Sequence, residues 1–245
     1  MYWLSVLLPL VIAFFLFVKL NYKEFKPFNY KQSFIIIWNS VTFGYIGSRI
    51  NHIIVYDIII THNINTAYEF IVVFFYKPGF KIPLGYAFSL IGLFLVHIYF
   101  PSKKDYLLAL DKFILLATCV SCFGNIGCFF DGHDGCRGTY TNLPWGCHYY
   151  FTKNPSLFSL HPLQIYTSLV MFALFIWILL GKKMSHGNKF FISMFIIMTY
   201  NIVIDYIRIQ QKLYFDLSLT QLVFILNCIL LGSMYLYIKF GVETN

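Results

Sequence analysis

Long apolar runs alternate with short polar connections along this chain. The runs cover residues 2–18, 33–56, 84–100, 106–123, 165–180, 190–207 and 218–240. Each approaches the roughly 20 residues that a hydrocarbon layer about 30 Å thick requires. In such a layer every backbone polar group must be satisfied within the segment, so the runs predict helices. The pattern therefore predicts an all-α polytopic membrane protein of about seven transmembrane helices. A further apolar stretch, 67–76, is too short to cross and fits an interfacial or re-entrant piece. The first run has no basic segment before it and no small-residue cleavage site after it, so it reads as a retained helix rather than a signal peptide.

Composition excludes the soluble classes. The chain is 59% hydrophobic and only 11% charged, against about 25% charge in a typical soluble domain. The net charge of +8 does not indicate nucleic acid, because most of the charges are lysines at the edges of apolar runs, where anionic lipid attracts them. Their distribution predicts an orientation. With seven spans, one set of ends carries Lys19, Lys23, Lys26, Lys31, Lys103, Lys104, Lys182, Lys183, Lys189 and Lys239. The other carries Lys77, Lys81, Arg137, Lys153 and Lys212. The richer side is expected to be cytoplasmic, which puts the N-terminus outside and the C-terminus in the cytoplasm. One domain, 1–245, is expected, with 124–161 as a small outward-facing, extracytoplasmic cap.

Polar residues inside apolar helices usually face the bundle interior or a wet cavity. In the second run, Ser40, Gly44 and Ser48 form a close-packing stripe, and Arg49 and His52 share a face. Structural glue with an interfacial arginine accounts for them as well as a site does. In the sixth run, spacings of four and three put Asn201, Asp205 and Arg208 on one face. Asp205 and Arg208 suit either a buried ion pair or a guanidinium fork for a lipid phosphate. Ser218 followed by Gln221 has the form of a capping box, which competes with a site role for Gln221.

The densest chemistry lies between Gly124 and Tyr166. Gly124, Gly127, Gly132, Gly135 and Gly138 predict a backbone that turns sharply or approaches a ligand closely. His133, Asp134 and Arg137 bring a base, an acid and a phosphate-binding cation into one segment. Cys119 and Cys122 superficially resemble a zinc pair. They fall inside an apolar run with no second close pair, so no metal site is expected. Cys136 and Cys147 share the outward connection, where the sequence is compatible with a disulfide without assigning one.

Several ordered pieces now coincide. Gly124-x-x-Gly127-Cys128-Phe129, the Gly/His/Asp segment, Leu143-Pro144-Trp145-Gly146 and His161-Pro162-x-Gln164-x-Tyr166 resemble the signature of the prolipoprotein diacylglyceryl transferase family. Gly47-Ser48-Arg49-Ile50, Asp111, Asp205-x-x-Arg208 and Leu217-Ser218-x-x-Gln221 fit further family elements in order. The resemblance covers roughly residues 44–235. It implies a seven-helix enzyme of the bacterial cytoplasmic membrane that needs no cofactor. Such an enzyme moves a diacylglyceryl group from phosphatidylglycerol to the lipobox cysteine of a preprolipoprotein, forming a thioether. That reaction needs a base or positive field for the thiol and cations for the departing phosphate.

The resemblance implies His133 or His161 as the base, with Arg137 and Arg208 on phosphate and Asp205 orienting Arg208. Arg49, Asn125, Gly127, Asp134, Gln164, Tyr166, Asn201 and Gln221 would line the substrate site. Helix capping alone would also account for His161, and an interfacial position for Tyr166. The chain departs from the family where Asn125 and Asn201 stand at arginine positions, and a histidine or tyrosine of the third helix is not evident near 87–90. Arg137 and Arg208 are expected to compensate for the arginines. The alternative is a catalytically altered or inactive homologue that binds lipid or lipoprotein in the membrane. A transporter or channel would spread its ionisable residues along a pore, whereas here they gather toward one end.

Overall fold

The computed structural model describes residues 30–54, 66, 69–70, 74, 82–131, 136–149, 157–182, 184–208, 212–214 and 217–241. The first apolar run, His133 and Asp134 lie outside these residues. Among the described residues there are six α-helices: α1 (Tyr30–His52), α2 (Ile82–Leu95), α3 (Lys103–Asp131), α4 (Leu163–Leu180), α5 (Asn188–Ile204) and α6 (Leu219–Leu236). Each lies on one of the apolar runs. Among the described residues, four helical segments are long and apolar enough to cross a membrane: Lys103–Phe130, Leu163–Leu180, Asn188–Ile207 and Leu219–Phe240. The shorter Pro83–Tyr99 is also apolar. Leu169, Phe172, Leu180, Phe195, Val203, Leu226 and Ile229 are exposed on α4, α5 and α6, while Thr118, Ser168, Ser193 and Asn227 are buried. This inside-out distribution is the one hydrocarbon solvent selects, and the chain is an all-α membrane protein.

The chain divides into two compact units, each discontinuous in sequence. In the unit holding 29–106 and 222–245, α1 packs on α2 through small residues. Gly44 abuts the Ser89 hydroxyl, which donates to Ser40 O at 2.9 Å. A Cβ on Gly47 would meet Leu84 O at 2.5 Å. The Ser40/Gly44/Ser48 stripe is thus a helix seam. Buried Asn227 on α6 donates to Pro83 O at 2.9 Å.

In the unit holding 107–221, α3 meets α4 where Ser168 Oγ donates to Cys122 O at 2.9 Å. Asp111 on α3 caps α5 from outside that helix, accepting from Gly187 N at 2.7 Å and Phe190 N at 2.9 Å. Lys189 Nζ in turn donates to Ile178 O at 2.7 Å near the end of α4. A carboxylate at a helix start and an ammonium at a helix end both match the helix dipoles.

Two sequence expectations are corrected here. The glycine-rich segment is not a loop from Gly124, because α3 continues to Asp131. In an apolar surrounding the helical hydrogen bonds outweigh the modest helix penalty of Gly124 and Gly127. Nor do Asn201, Asp205 and Arg208 share one helix. α5 ends at Ile204, Asp205–Ile207 is a 3-10 turn and Arg208 is extended (φ −89, ψ 144). A short antiparallel pair follows, β1 (Lys212–Tyr214) with β2 (Leu217–Ser218).

Candidate active site

The segment between α3 and α4 is organised by backbone pairing. Gly138 N donates to His161 O at 2.9 Å and His161 N to Thr139 O at 3.1 Å. Thr141 N donates to Ser159 O at 2.9 Å. On the far side, Cys147 and Leu160 exchange bonds of 2.9 and 3.0 Å. On the near side, Thr139 N donates to Ile207 O at 2.8 Å and Gly138 bridges Arg208. The result is a small ladder in the order 207–208, 138–141, 159–161, 147. It draws together three of the residues singled out from sequence: Arg137, His161 and Arg208.

Arg137 is buried, and its guanidinium stands 4.5 Å over the Tyr149 ring. The Tyr149 hydroxyl donates to Gln164 Oε1 at 3.1 Å. Burial is the main reason the Tyr149 phenol is pushed up to about 12; Cys147 adds to the rise and Arg137 opposes it. Tyr149 therefore stays neutral and serves as a platform for the cation. Gln164 is 1% exposed, and its Nε2 has no hydrogen-bond acceptor among the described residues. A buried amide donor of this kind is costly unless a ligand satisfies it.

Arg208 pairs with Asp205, Nη1 to Oδ1, at 3.5 Å. Asp205 also takes the hydroxyl of Ser218 on its Oδ2. Ser218 and Gln221 form the capping box read from the sequence: Gln221 N donates to Ser218 Oγ at 3.1 Å and Ser218 N to Gln221 Oε1 at 2.9 Å. Gln221 Nε2 donates to Ile202 O at 3.0 Å. Both ends of the Gln221 amide thus hold the fold, and through Ser218 they fix Asp205. The Nε of Arg208 is buried without an acceptor among the described residues. Arg208 can therefore still donate to an anion.

His161 Nδ1 lies 3.2 Å from the Tyr166 hydroxyl, which also receives the Trp145 indole N–H at 2.9 Å. Tyr200 Oη is 3.1 Å from Thr167 Oγ1 and within electrostatic reach of Arg208 and Tyr166. The remaining sequence candidates are placed differently. Asn125 and Asn201 donate back along their own helices, to Ser121 O at 2.7 Å and Ile197 O at 2.8 Å. Gly127 is buried within α3. Arg49 belongs to the other unit, where its Nε donates to Phe74 O at 2.9 Å. Cys136 and Cys147 are not joined in a disulfide, and burial pushes the Cys147 thiol up, away from nucleophilic use.

Sequence reasoning gave no role to Tyr149 or Tyr200 and did not foresee the Ser218–Asp205 contact. Trp145 stood out only as part of its tetrapeptide. Each becomes meaningful only through a partner distant in sequence.

Apolar spans carrying a short ladder with two arginines, a histidine and an unsatisfied buried amide donor define an integral membrane protein with a polar cluster at the ends of its helices. The chain belongs to the prolipoprotein diacylglyceryl transferase family, which matches residues 1–238. It is also 28% identical over 183 residues to a phosphatidylglycerol–prolipoprotein diacylglyceryl transferase of Clostridium tetani (strain Massachusetts / E88), covering 70% of this chain and 68% of that protein. The resemblance read from the sequence is borne out, and the family is one of transferases in lipoprotein maturation.

Proposed function

We propose that this protein transfers a diacylglyceryl group from phosphatidylglycerol to the lipobox cysteine thiol of preprolipoproteins in the bacterial cytoplasmic membrane. A seven-helix architecture and an outward-facing cap belong to the same proposal. The observation that carries it is the ladder through Gly138, which ties Arg208 and Arg137 to His161. Arg208, held by Asp205 and with an unused Nε, binds the phosphate of the lipid headgroup and then of the departing glycerol phosphate. Arg137, fixed over Tyr149, adds positive field. Gln164 Nε2 donates to a lipid oxygen, and His161 receives the thiol proton. His133 and Asp134, in the same connection, are second candidates for acid–base work.

The test is transfer of diacylglycerol to a lipobox peptide by the purified protein, with the product read by mass. Complementation of a transferase-depleted strain is the parallel test in cells. The Arg208→Ala variant should lose about 100- to 1000-fold in rate, the usual effect of removing one preorganised charge-stabilising donor. An undiminished rate would rule Arg208 out of the phosphate site. A second reading has its own support: Asn125 and Asn201 satisfy their own helices and bring no charge. A folded, well-expressed wild-type protein that binds phosphatidylglycerol without transferring from it would establish that altered homologue instead.

A further inference from the structure

Among the described residues the hydroxyl of Tyr166 has two partners whose hydrogen-bonding capacities differ. The indole N–H of Trp145 can only donate, so the Tyr166 oxygen accepts there, at 2.9 Å. The other partner is His161 Nδ1, at 3.2 Å. With the indole donating to its oxygen, the Tyr166 hydroxyl has its own proton to give to that nitrogen in the His161 tautomer that carries hydrogen on Nε2. In that tautomer the basic nitrogen of His161 is covered by the tyrosine hydroxyl, and a thiol reaches it only through Tyr166.

Resting on the transferase reading above, we infer that Tyr166 is a catalytic proton relay between the substrate thiol and His161, with Trp145 as its positioning residue. The cysteine S–H proton moves to the Tyr166 oxygen as the Tyr166 proton moves to His161 Nδ1. The products of this step are a thiolate, an intact phenol and an imidazolium. The Trp145 N–H stabilises the negative charge that passes through the phenol oxygen. The thiolate sulfur then bonds to the glycerol carbon that carries the phosphate ester. The carbon–oxygen bond breaks, its electron pair goes to the phosphate oxygen, and glycerol phosphate leaves. His161 returns its proton through Tyr166 to that leaving phosphate.

The surroundings of Tyr166 suit this role. Tyr166 is half-buried at the start of α4, while Trp145 is exposed, so the pair lies at an accessible mouth. Among the described residues, the titratable groups near it are His161 from the ladder and Tyr200 from α5, and Arg208 is within electrostatic reach of the Tyr200 hydroxyl. Tyr200 is thus common to the proposed phosphate ligand and the proposed relay. None of this depends on the two arginines that this chain lacks relative to its family.

The experiment follows transfer from phosphatidylglycerol vesicles to a lipobox peptide across pH for wild type, Tyr166→Phe, His161→Phe and Trp145→Phe. The Tyr166→Phe variant should lose about 100-fold or more in kcat, the range of general-base catalysis, with little change in KM for the lipid. What rate remains should climb about tenfold per pH unit, because it then depends on thiol already ionised by solvent. His161→Phe should show the same slope, and Trp145→Phe a loss of about tenfold. A purely structural role would lower the rate without that slope. Nitrogen NMR of histidine-labelled wild type gives a readout that does not need activity, namely hydrogen on Nε2 of His161. A wild-type rate in Tyr166→Phe, or His161 found with hydrogen on Nδ1, overturns the relay while leaving the transferase reading intact. A folded wild type that transfers nothing overturns the transferase reading and the relay with it.

Discussion

A side chain at position 138 would have no room. A Cβ there would sit 2.5 Å from His161 Cβ and 3.0 Å from both His161 O and Ile207 O. Gly138 is therefore the point at which two strands of the ladder close on a third, and it sets the spacing of His161 and Arg208. Gly138→Ala must spread the ladder by about an ångström, and overpacking of this kind typically costs about 1–3 kcal/mol. The functional cost should exceed the structural one, because displacements of about 1 Å at a reacting centre can cost 100-fold. Thermal melting in detergent should fall by only a few degrees while transfer falls at least tenfold; equal rates for Gly138→Ala and wild type would show that the ladder does not set the site. Arg137, His161 and Arg208 were legible in the sequence because their chemistry is unusual in an apolar chain. Tyr149 was not. It sits among tyrosines and phenylalanines with no distinguishing period, and only the approach of Arg137 to 4.5 Å over its ring sets it apart.

Helix existence was legible because a continuous apolar run in hydrocarbon has one solution, whereas helix ends depend on partners that no local pattern reveals. Asp111 illustrates the difference. In sequence it is an acid inside an apolar run, yet it closes the exposed amides at the start of α5 with bonds of 2.7 and 2.9 Å. Gly187 makes the entry possible with a left-handed φ of 85°, and a Cβ there would also press on Leu107 Cδ2 at 2.6 Å. Asp111→Ala removes two charge-assisted caps, worth about 1–2 kcal/mol together. Asp111→Asn keeps one acceptor oxygen and should recover part of the loss. Differential scanning of the three proteins in the same detergent should rank them wild type, Asn, Ala. An Ala variant that melts with wild type would mean that the cap adds nothing to the α3–α5 junction. The end of α5 was misread for the same reason. Spacing alone continued the helix through Arg208, but backbone pairing of Gly138 with Arg208 and of Thr139 with Ile207 pulls the chain into an extended form.

For the whole molecule, the lysine distribution makes a claim about orientation that the connectivity of the spans sharpens. The candidate span Lys103–Phe130 is followed by the ladder and then by Leu163–Leu180, so the segment 138–149 and residues 184–187 lie beyond opposite ends of the Leu163–Leu180 helix. In the sequence, Lys103, Lys104, Lys182, Lys183 and Lys189 fall at one set of run ends, whereas Arg137 and Lys153 fall in the 124–161 connection. Positive charge is retained on the cytoplasmic face. The proposed reaction requires the opposite placement for the ladder, because a lipobox cysteine is presented at the outer face once its signal segment spans the membrane. Ser185 and Asn142 are both exposed and mark the two sides. In a cysteine-free background, Asn142→Cys in intact cells lacking the outer barrier should react with a membrane-impermeant maleimide, and Ser185→Cys should react only after permeabilisation. The reverse pattern would put Arg208 and His161 in the cytoplasm, out of reach of an exported thiol, and the transferase proposal would fall whatever the geometry of its site.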